Sequence, residues 1–214
     1  MKVIITGATG MVGEGVMLEC LENPTVTKVL VVNRKPLNWK HEKLSELIVS
    51  DFMKLENYEA QLFGYDGCFF CAGISSVGIS EAQYTLITYD TTIAFATKLA
   101  QLNPTMVFTY VSGTSTDSSE KGKLMWARVK GKTENDLMKL PFKGVYNFRP
   151  GVMKPFKGQK NLKTVYKIFI PIFTILLANK TLTLKQVGQA MINAVRNGYS
   201  KHVLEIADIR KLSQ

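Results

Sequence analysis

The chain has 214 residues, 46% of them hydrophobic, with 27 Lys and Arg against 17 Asp and Glu and a formal net charge of +10. That length and apolar content exclude a disordered chain and favour a single domain, 1–214, with a sizeable core. The positive balance favours anionic partners, but no uninterrupted basic run marks a nucleic-acid arm, so no nucleic-acid partner is expected.

Residues 2–5 form a short apolar run followed at once by Thr6-Gly7-Ala8-Thr9-Gly10-Met11-Val12-Gly13. Glycines at 7, 10 and 13 read as G-x-x-G-x-x-G, and an apolar-periodic segment over 14–21 predicts a helix. Strand, glycine turn and helix make the context of a dinucleotide-binding turn. The glycines let the backbone turn sharply and approach a pyrophosphate, and the N–H groups and dipole of the new helix face the anion. Residues 28–33 predict a second buried strand, which closes a right-handed βαβ unit. At its end stand Asn33, Arg34 and Lys35. An acid here would accept from the ribose 2′-hydroxyl of NAD, whereas an Arg accommodates a 2′-phosphate. Two cations and no acid favour NADP(H) over NAD(H).

Residues 36–43 read as a loop and 44–50 as a third strand, ending in Asp51-Phe52. Asp51 suits either an adenine amino group or the cap of a helix over 53–63. A fourth strand over 67–71 closes on Cys71, Ala72 and Gly73, whose small size lets backbone approach a cofactor. Cys68 and Cys71 match C-x-x-C, but residues three apart on a strand face opposite sides, which argues against a redox or metal pair. A long helix over 80–102, a fifth strand over 105–111 running into Ser112-Gly113, a polar loop over 115–122 and a helix over 123–140 follow. A sixth strand over 144–148 leads into Arg149, Pro150, Gly151 and Val152. Strands alternating with helices imply an α/β fold, a Rossmann-like doubly wound parallel sheet with helices on both faces.

Beyond Gly151 the pattern changes, and residues 152–182 read as a small lid or substrate-pocket region. Lys154, Lys157, Lys160, Lys163 and Lys167 space out a basic loop and helix start, and the 154–163 spacing suits an anionic small-molecule substrate at its rim, with Met153, Phe156 and residues 169–173 as an apolar wall. The apolar run over 168–178 is too short to span a bilayer. It suits a lid, plain core or a peripheral membrane contact. Residues 184–197 predict an amphipathic helix ended by Gly198, and 203–206 a late strand. Three cysteines and a strand starting directly after Met1 point to a reducing, cytoplasmic setting.

Taken together, T-G-A-T-G-M-V-G at 6–13, Asp51, Cys71-Ala72-Gly73, Ser112, Lys130 and Arg149-Pro150-Gly151 resemble the short-chain dehydrogenase/reductase superfamily. The nearest likeness is to its atypical members, related to nucleotide-sugar epimerases and to the Tat-interacting-protein type. The resemblance implies cofactor contacts from 7–13, 33–35, Asp51, Phe52, 71–73, Lys130 and Pro150-Gly151-Val152. It also implies a catalytic Ser, Tyr and Lys, in which Ser112 hydrogen-bonds the substrate oxygen and Lys130 holds the nicotinamide ribose. Four residues before Lys130 stands Trp126, not Tyr. Indole does not titrate usefully near neutrality, so two functions stay open: an oxidoreductase or epimerase-like enzyme, and a non-catalytic NADP(H)-binding sensor or interaction module.

Overall fold

The computed structural model describes residues 1–161 and 181–214. Alternation along the first strand decides how the chain layers. In β1 (Lys2–Thr6), Val3 and Ile5 join one buried cluster while Ile4 joins another, because successive side chains leave a strand by opposite faces. In β2 (Lys28–Asn33), Val29 and Val31 part in the same way from Leu30 and Val32. A sheet apolar on both faces must be covered on both.

The helices do this. In chain order they are α1 (Met11–Glu22), α2 (Glu59–Leu62), α3 (Glu81–Thr85), α4 (Thr91–Leu102), α5 (Met125–Leu137), α6 (Leu184–Asn197) and α7 (Ile206–Leu212). Val16 and Met17 of α1, Val187 and Met191 of α6 and Ile209 of α7 pack in the first cluster. Leu62 of α2, Phe95 and Leu99 of α4 and Leu137 of α5 pack in the second.

The remaining strands are β3 (Leu44–Ile48), β4 (Gly67–Phe70), β5 (Val107–Val111), β6 (Gly144–Phe148), β7 (Val152–Lys154), β8 (Thr181–Thr183) and β9 (Val203–Leu204). Seven of them form one parallel sheet in the order β3-β2-β1-β4-β5-β6-β9. The order reverses beside β1, and the crevice over the strand ends there is where ligands bind in such sheets. β7 and β8 pair in parallel as a separate ribbon. That pairing, unforeseen from sequence, brings the two ends of the stretch between them side by side.

Several boundaries differ from expectation. The helix expected over 53–63 contracts to a 3-10 turn at Glu56–Tyr58 and the single turn of α2. Asn57 and Tyr58 are weak helix formers, and Asp51 closes its own turn instead, accepting from the backbone N–H of Met53 at 2.9 Å. The helix expected over 80–102 begins with a Ser80–Gln83 capping box but widens into a π turn at Leu86–Asp90 between α3 and α4. Helix α6 matches expectation residue for residue, capped by Thr183 and stopped at Gly198, whose φ is +67°. The last strand is shorter than expected, and residue 206 opens α7. No helix among the described residues is long and apolar enough to cross a membrane. The run at 168–178, the wall at 169–173 and Lys163 and Lys167 lie outside the described residues.

Candidate functional site

Two of the glycines in the turn are required by shape. Gly7 has φ +73°, and a Cβ there would lie 2.7 Å from the backbone of Ala72 on the neighbouring strand end. A Cβ on Gly13 would lie 2.3 Å from the Gly7 carbonyl oxygen. The first residue lets β1 turn against β4, and the second seats α1 directly on the turn. Gly10 N–H donates to Gly7 O at 2.9 Å. Gly10 also caps α1 without any side-chain hydrogen bond, so the first N–H groups of the helix remain available to an anion.

A cavity of about 660 Å³ opens over this turn. Gly7, Thr9, Gly10, Asn33, Arg34, Lys35, Asp51, Phe52, Cys71, Ala72 and Gly73 line it, so four separate segments named from the sequence converge here. Ser50, Phe70, Ile74, Ile87 and Thr91 also line it and were not foreseen. Ile87 and Thr91 reach it through the π turn and the start of α4, whose widening no local sequence signal announced. Ala8, Met11, Val12 and Gly13 form the turn behind the lining: Ala8 is fully buried and Gly13 is packed against Gly7.

Asn33 is the most informative residue in the cavity. It is 2% exposed, and neither its amide oxygen nor its amide nitrogen has a hydrogen-bond partner. An unpaired buried amide is costly, and this one lines the cavity. Arg34 and Lys35 follow it, exposed and without a hydrogen bond or ion pair among the described residues. Asp51 is half-buried and its Met53 bond leaves its second oxygen free to accept. The Cys71 thiol is pushed up to about 12 by burial and is inert near neutrality. Cys68 packs in the second cluster and Cys71 against the first, on opposite faces as the spacing requires.

The second half of the expected site gathers around the end of β5 and α5. Trp126, Lys130 and Glu134 stand four apart on α5 and so share one face. Lys130 is half-buried, and its ammonium donates to the Ser112 carbonyl. Burial pulls its pKa down to about 8, with Glu134 opposing the shift. The Ser112 hydroxyl donates to the buried Glu134 carboxylate and also lies 3.2 Å from Phe148 O. Its one hydrogen is therefore bonded within the protein. Glu134 is fully buried and also takes both Nε (3.0 Å) and Nη2 of Arg149. Arg149 continues to Ser118 Oγ at 2.6 Å and Glu205 at 3.2 Å. Glu134 was missed from the sequence, although its i+4 spacing from Lys130 was readable. Trp126 is half-buried, and its indole N–H has no partner among the described residues. Ser112, Trp126 and Lys130 do not line the cavity over the turn, nor do Pro150, Gly151 and Val152.

A strap ties the region after β7 to the turn. The fully buried Glu14 carboxylate accepts from Trp39 Nε1 at 3.1 Å, Lys160 N at 2.9 Å and Asn161 N at 2.6 Å. Gln159 donates to Met11 O, and Lys160 lies 4.1 Å over the Trp39 ring. Lys160 is thus engaged rather than free at a substrate rim. Phe156 packs in the first core cluster, which removes it from the expected apolar wall.

Strand order, glycine turn and crevice define a Rossmann-type α/β protein of the short-chain dehydrogenase/reductase kind. The chain belongs to the NAD dependent epimerase/dehydratase family, whose model matches residues 3–126. It is 28% identical to Protein HTATIP2 of Rattus norvegicus over 154 residues, 71% of this chain and 62% of that protein. It is 28% identical to "Protein FMP52, mitochondrial" of Kluyveromyces lactis over 155 residues, 71% of this chain and 66% of that protein. The matches thus span less than two thirds of these relatives. The word mitochondrial in that name gives no support to the cytoplasmic setting expected here. Among solved structures, ADP-L-glycero-D-manno-heptose-6-epimerase of Helicobacter pylori superposes with a TM-score of 0.71 at 15% identity, covering 95% of this chain and 74% of that one. A short chain dehydrogenase family protein of Francisella tularensis gives 0.67 at 15% identity, covering 96% of both chains. These likenesses show the fold.

Proposed function

We propose that this chain binds NADP(H) and is an oxidoreductase or epimerase-like protein acting on a carbonyl or hydroxyl compound. The observation that carries the cofactor reading is the end of β2. The unpartnered Asn33 amide, with the unpaired Arg34 and Lys35 beside it, lines the same cavity as the glycine turn. The turn and the N-terminus of α1 would hold the pyrophosphate, and Asp51 the adenine amino group. Arg34 and Lys35 would hold a 2′-phosphate, and Asn33 the ribose edge next to it. When bound, the dinucleotide supplies a hydride donor or acceptor. Lys130 would hold its nicotinamide ribose, with Pro150, Gly151 and Val152 at that end. The exposed Lys154 and Lys157 suit an anionic group on the substrate.

Calorimetric titration with NADP⁺ and NAD⁺ tests this reading in the wild type and in Arg34→Asp. The expected result is tighter binding of NADP⁺ by the wild type and reversal of that preference in the variant, since an acid there accepts from the 2′-hydroxyl. Equal affinity for both dinucleotides in both proteins would refute the assignment. Trp126 favours a second reading, a non-catalytic NADP(H)-binding module, because the family's usual proton donor is absent at that position. A protein that binds NADP(H) but turns over carbonyl compounds only as Trp126→Tyr would establish that reading.

A further inference from the structure

We propose that Glu14, Trp39 and Lys160 form a clasp that fixes the 34–39 loop for a 2′-phosphate, and so act as positioning residues for the choice of cofactor. The proposal rests on the NADP(H) reading above and names what holds Arg34 and Lys35 in place.

The loop is anchored at both ends. Before it, the Asn33 carbonyl accepts from the Val49 N–H at 2.9 Å, which ties the end of β2 to the chain leaving β3. After it, the Leu37 N–H donates to Glu46 at 2.8 Å and the Trp39 indole N–H donates to Glu14 at 3.1 Å. Leu37 and Trp39 also pack against the first core cluster. Pro36 has a fixed φ and restricts Lys35 before it. Arg34 and Lys35 thus stand on held backbone, while their exposed heads have no hydrogen bond or ion pair among the described residues.

The other jaw is the 156–161 strap. The Glu14 carboxylate is fully buried in the first turn of α1. Besides the indole it accepts from Lys160 N–H at 2.9 Å and Asn161 N–H at 2.6 Å. Lys160 then covers the loop: its ammonium lies 4.1 Å over the Trp39 ring and donates to Asn38 O at 3.2 Å. One carboxylate, on the helix that leaves the glycine turn, therefore holds both segments.

A loop ordered before binding loses less conformational freedom when it takes up a ligand group. NAD carries no 2′-phosphate to meet this loop, so the clasp raises affinity for NADP above that for NAD. Glu14→Gln probes it without changing shape. In the wild type one carboxylate oxygen accepts from the indole and Lys160, and the other from Asn161. In the variant the amide NH₂ replaces one of these acceptors and faces an N–H, donor against donor.

Calorimetric titration with NADP⁺ and NAD⁺ gives the ratio of the two affinities in the wild type, Glu14→Gln, Trp39→Leu, Lys160→Met and Lys160→Arg. The ratio cancels changes at the pyrophosphate, which both dinucleotides share. The preference for NADP⁺ should fall by about 3–10-fold in Glu14→Gln and Trp39→Leu. It should fall by about 2–5-fold in Lys160→Met, where the ring loses its cation. Lys160→Arg should keep the wild-type ratio, because a guanidinium also stacks on an aromatic face. Lys160 is exposed, so its variants keep the fold and report independently of the buried carboxylate. An unchanged ratio in Lys160→Met, or an equal loss of both affinities in Glu14→Gln, would overturn the clasp and leave the cofactor reading standing. A wild type that prefers NAD⁺, or binds neither dinucleotide, would instead remove the reading beneath it.

Discussion

Glu134 is the residue whose removal should cost most. It is fully buried, and it neutralises an Arg149 whose side chain is only 11% exposed. Truncation to Ala leaves the guanidinium facing a void, with Ser118 and the half-exposed Glu205 as its remaining partners. Breaking a buried ion pair from one side costs about 3–5 kcal/mol. The surviving Glu205 contact places this case at the lower end, about 3 kcal/mol. For a domain of this size, each kcal/mol lowers Tm by about 2–4 °C, so Glu134→Ala should melt about 6–12 °C early. Glu134→Gln keeps the shape and an acceptor, and should cost about 1.5–3 kcal/mol, the worth of hydrogen bonds to a charged group. The double variant Glu134→Leu/Arg149→Met should recover most of the loss, because an apolar pair removes both charges. Urea unfolding of the four proteins measures the free energies, and thermal melting the change in Tm. A loss below about 1 kcal/mol in Glu134→Ala, or a double variant worse than the single, would refute the reasoning.

Gly13→Ala places a methyl 2.3 Å from the Gly7 carbonyl oxygen. It should destabilise by about 1–3 kcal/mol and abolish dinucleotide binding, as read by urea unfolding and calorimetry. Burial pushes Asp136 up, but Lys139, Tyr89 and Lys132 outweigh it and leave its pKa at about 2. With an unfolded value of about 3.9, its stabilisation is complete above that pH and is lost as pH falls toward 2. Asp136→Asn should therefore show a flatter stability curve over that window. The pKa of Lys130 is also lowered, but by burial of its charged form, a cost that is relieved as pH rises. Its folded pKa of about 8 lies below the unfolded value of about 10.4. The unfolded chain therefore binds more protons between the two, and wild-type stability should rise there relative to Lys130→Met. Glu14→Ala frees three donors that hold Trp39 and residues 160–161. It should speed limited proteolysis in the 156–161 strap and shift Trp39 fluorescence in a Trp126→Phe background.

The parts of the fold readable in the sequence are those governed by local chemistry. The βαβ start, the parallel sheet and α6 with its Thr183 cap and Gly198 stop follow from apolar periodicity and turn residues. The converging cofactor segments were readable because each ends a strand, and strand ends of a parallel sheet meet over one crevice. What escaped depends on tertiary packing. The π turn at Leu86–Asp90 and the β7–β8 ribbon follow from contacts between distant segments. The buried role of Glu134 was hidden because a helical Glu near a Lys reads as a surface pair. Only Arg149, fifteen residues on, makes it an interior one. Ser112 was placed correctly at the end of β5, but the direction of its hydroxyl is set by Glu134, which local pattern does not reveal.

The central claim is that the crevice over Gly7–Gly13 holds a dinucleotide and that Arg34 and Lys35 select its 2′-phosphate. Thermal-shift titration of the wild type with NADP⁺, NADPH, NAD⁺ and NADH tests it most directly. The account predicts a rise in Tm with the 2′-phosphorylated pair at concentrations where NAD⁺ and NADH give little. No shift with any of the four would contradict it.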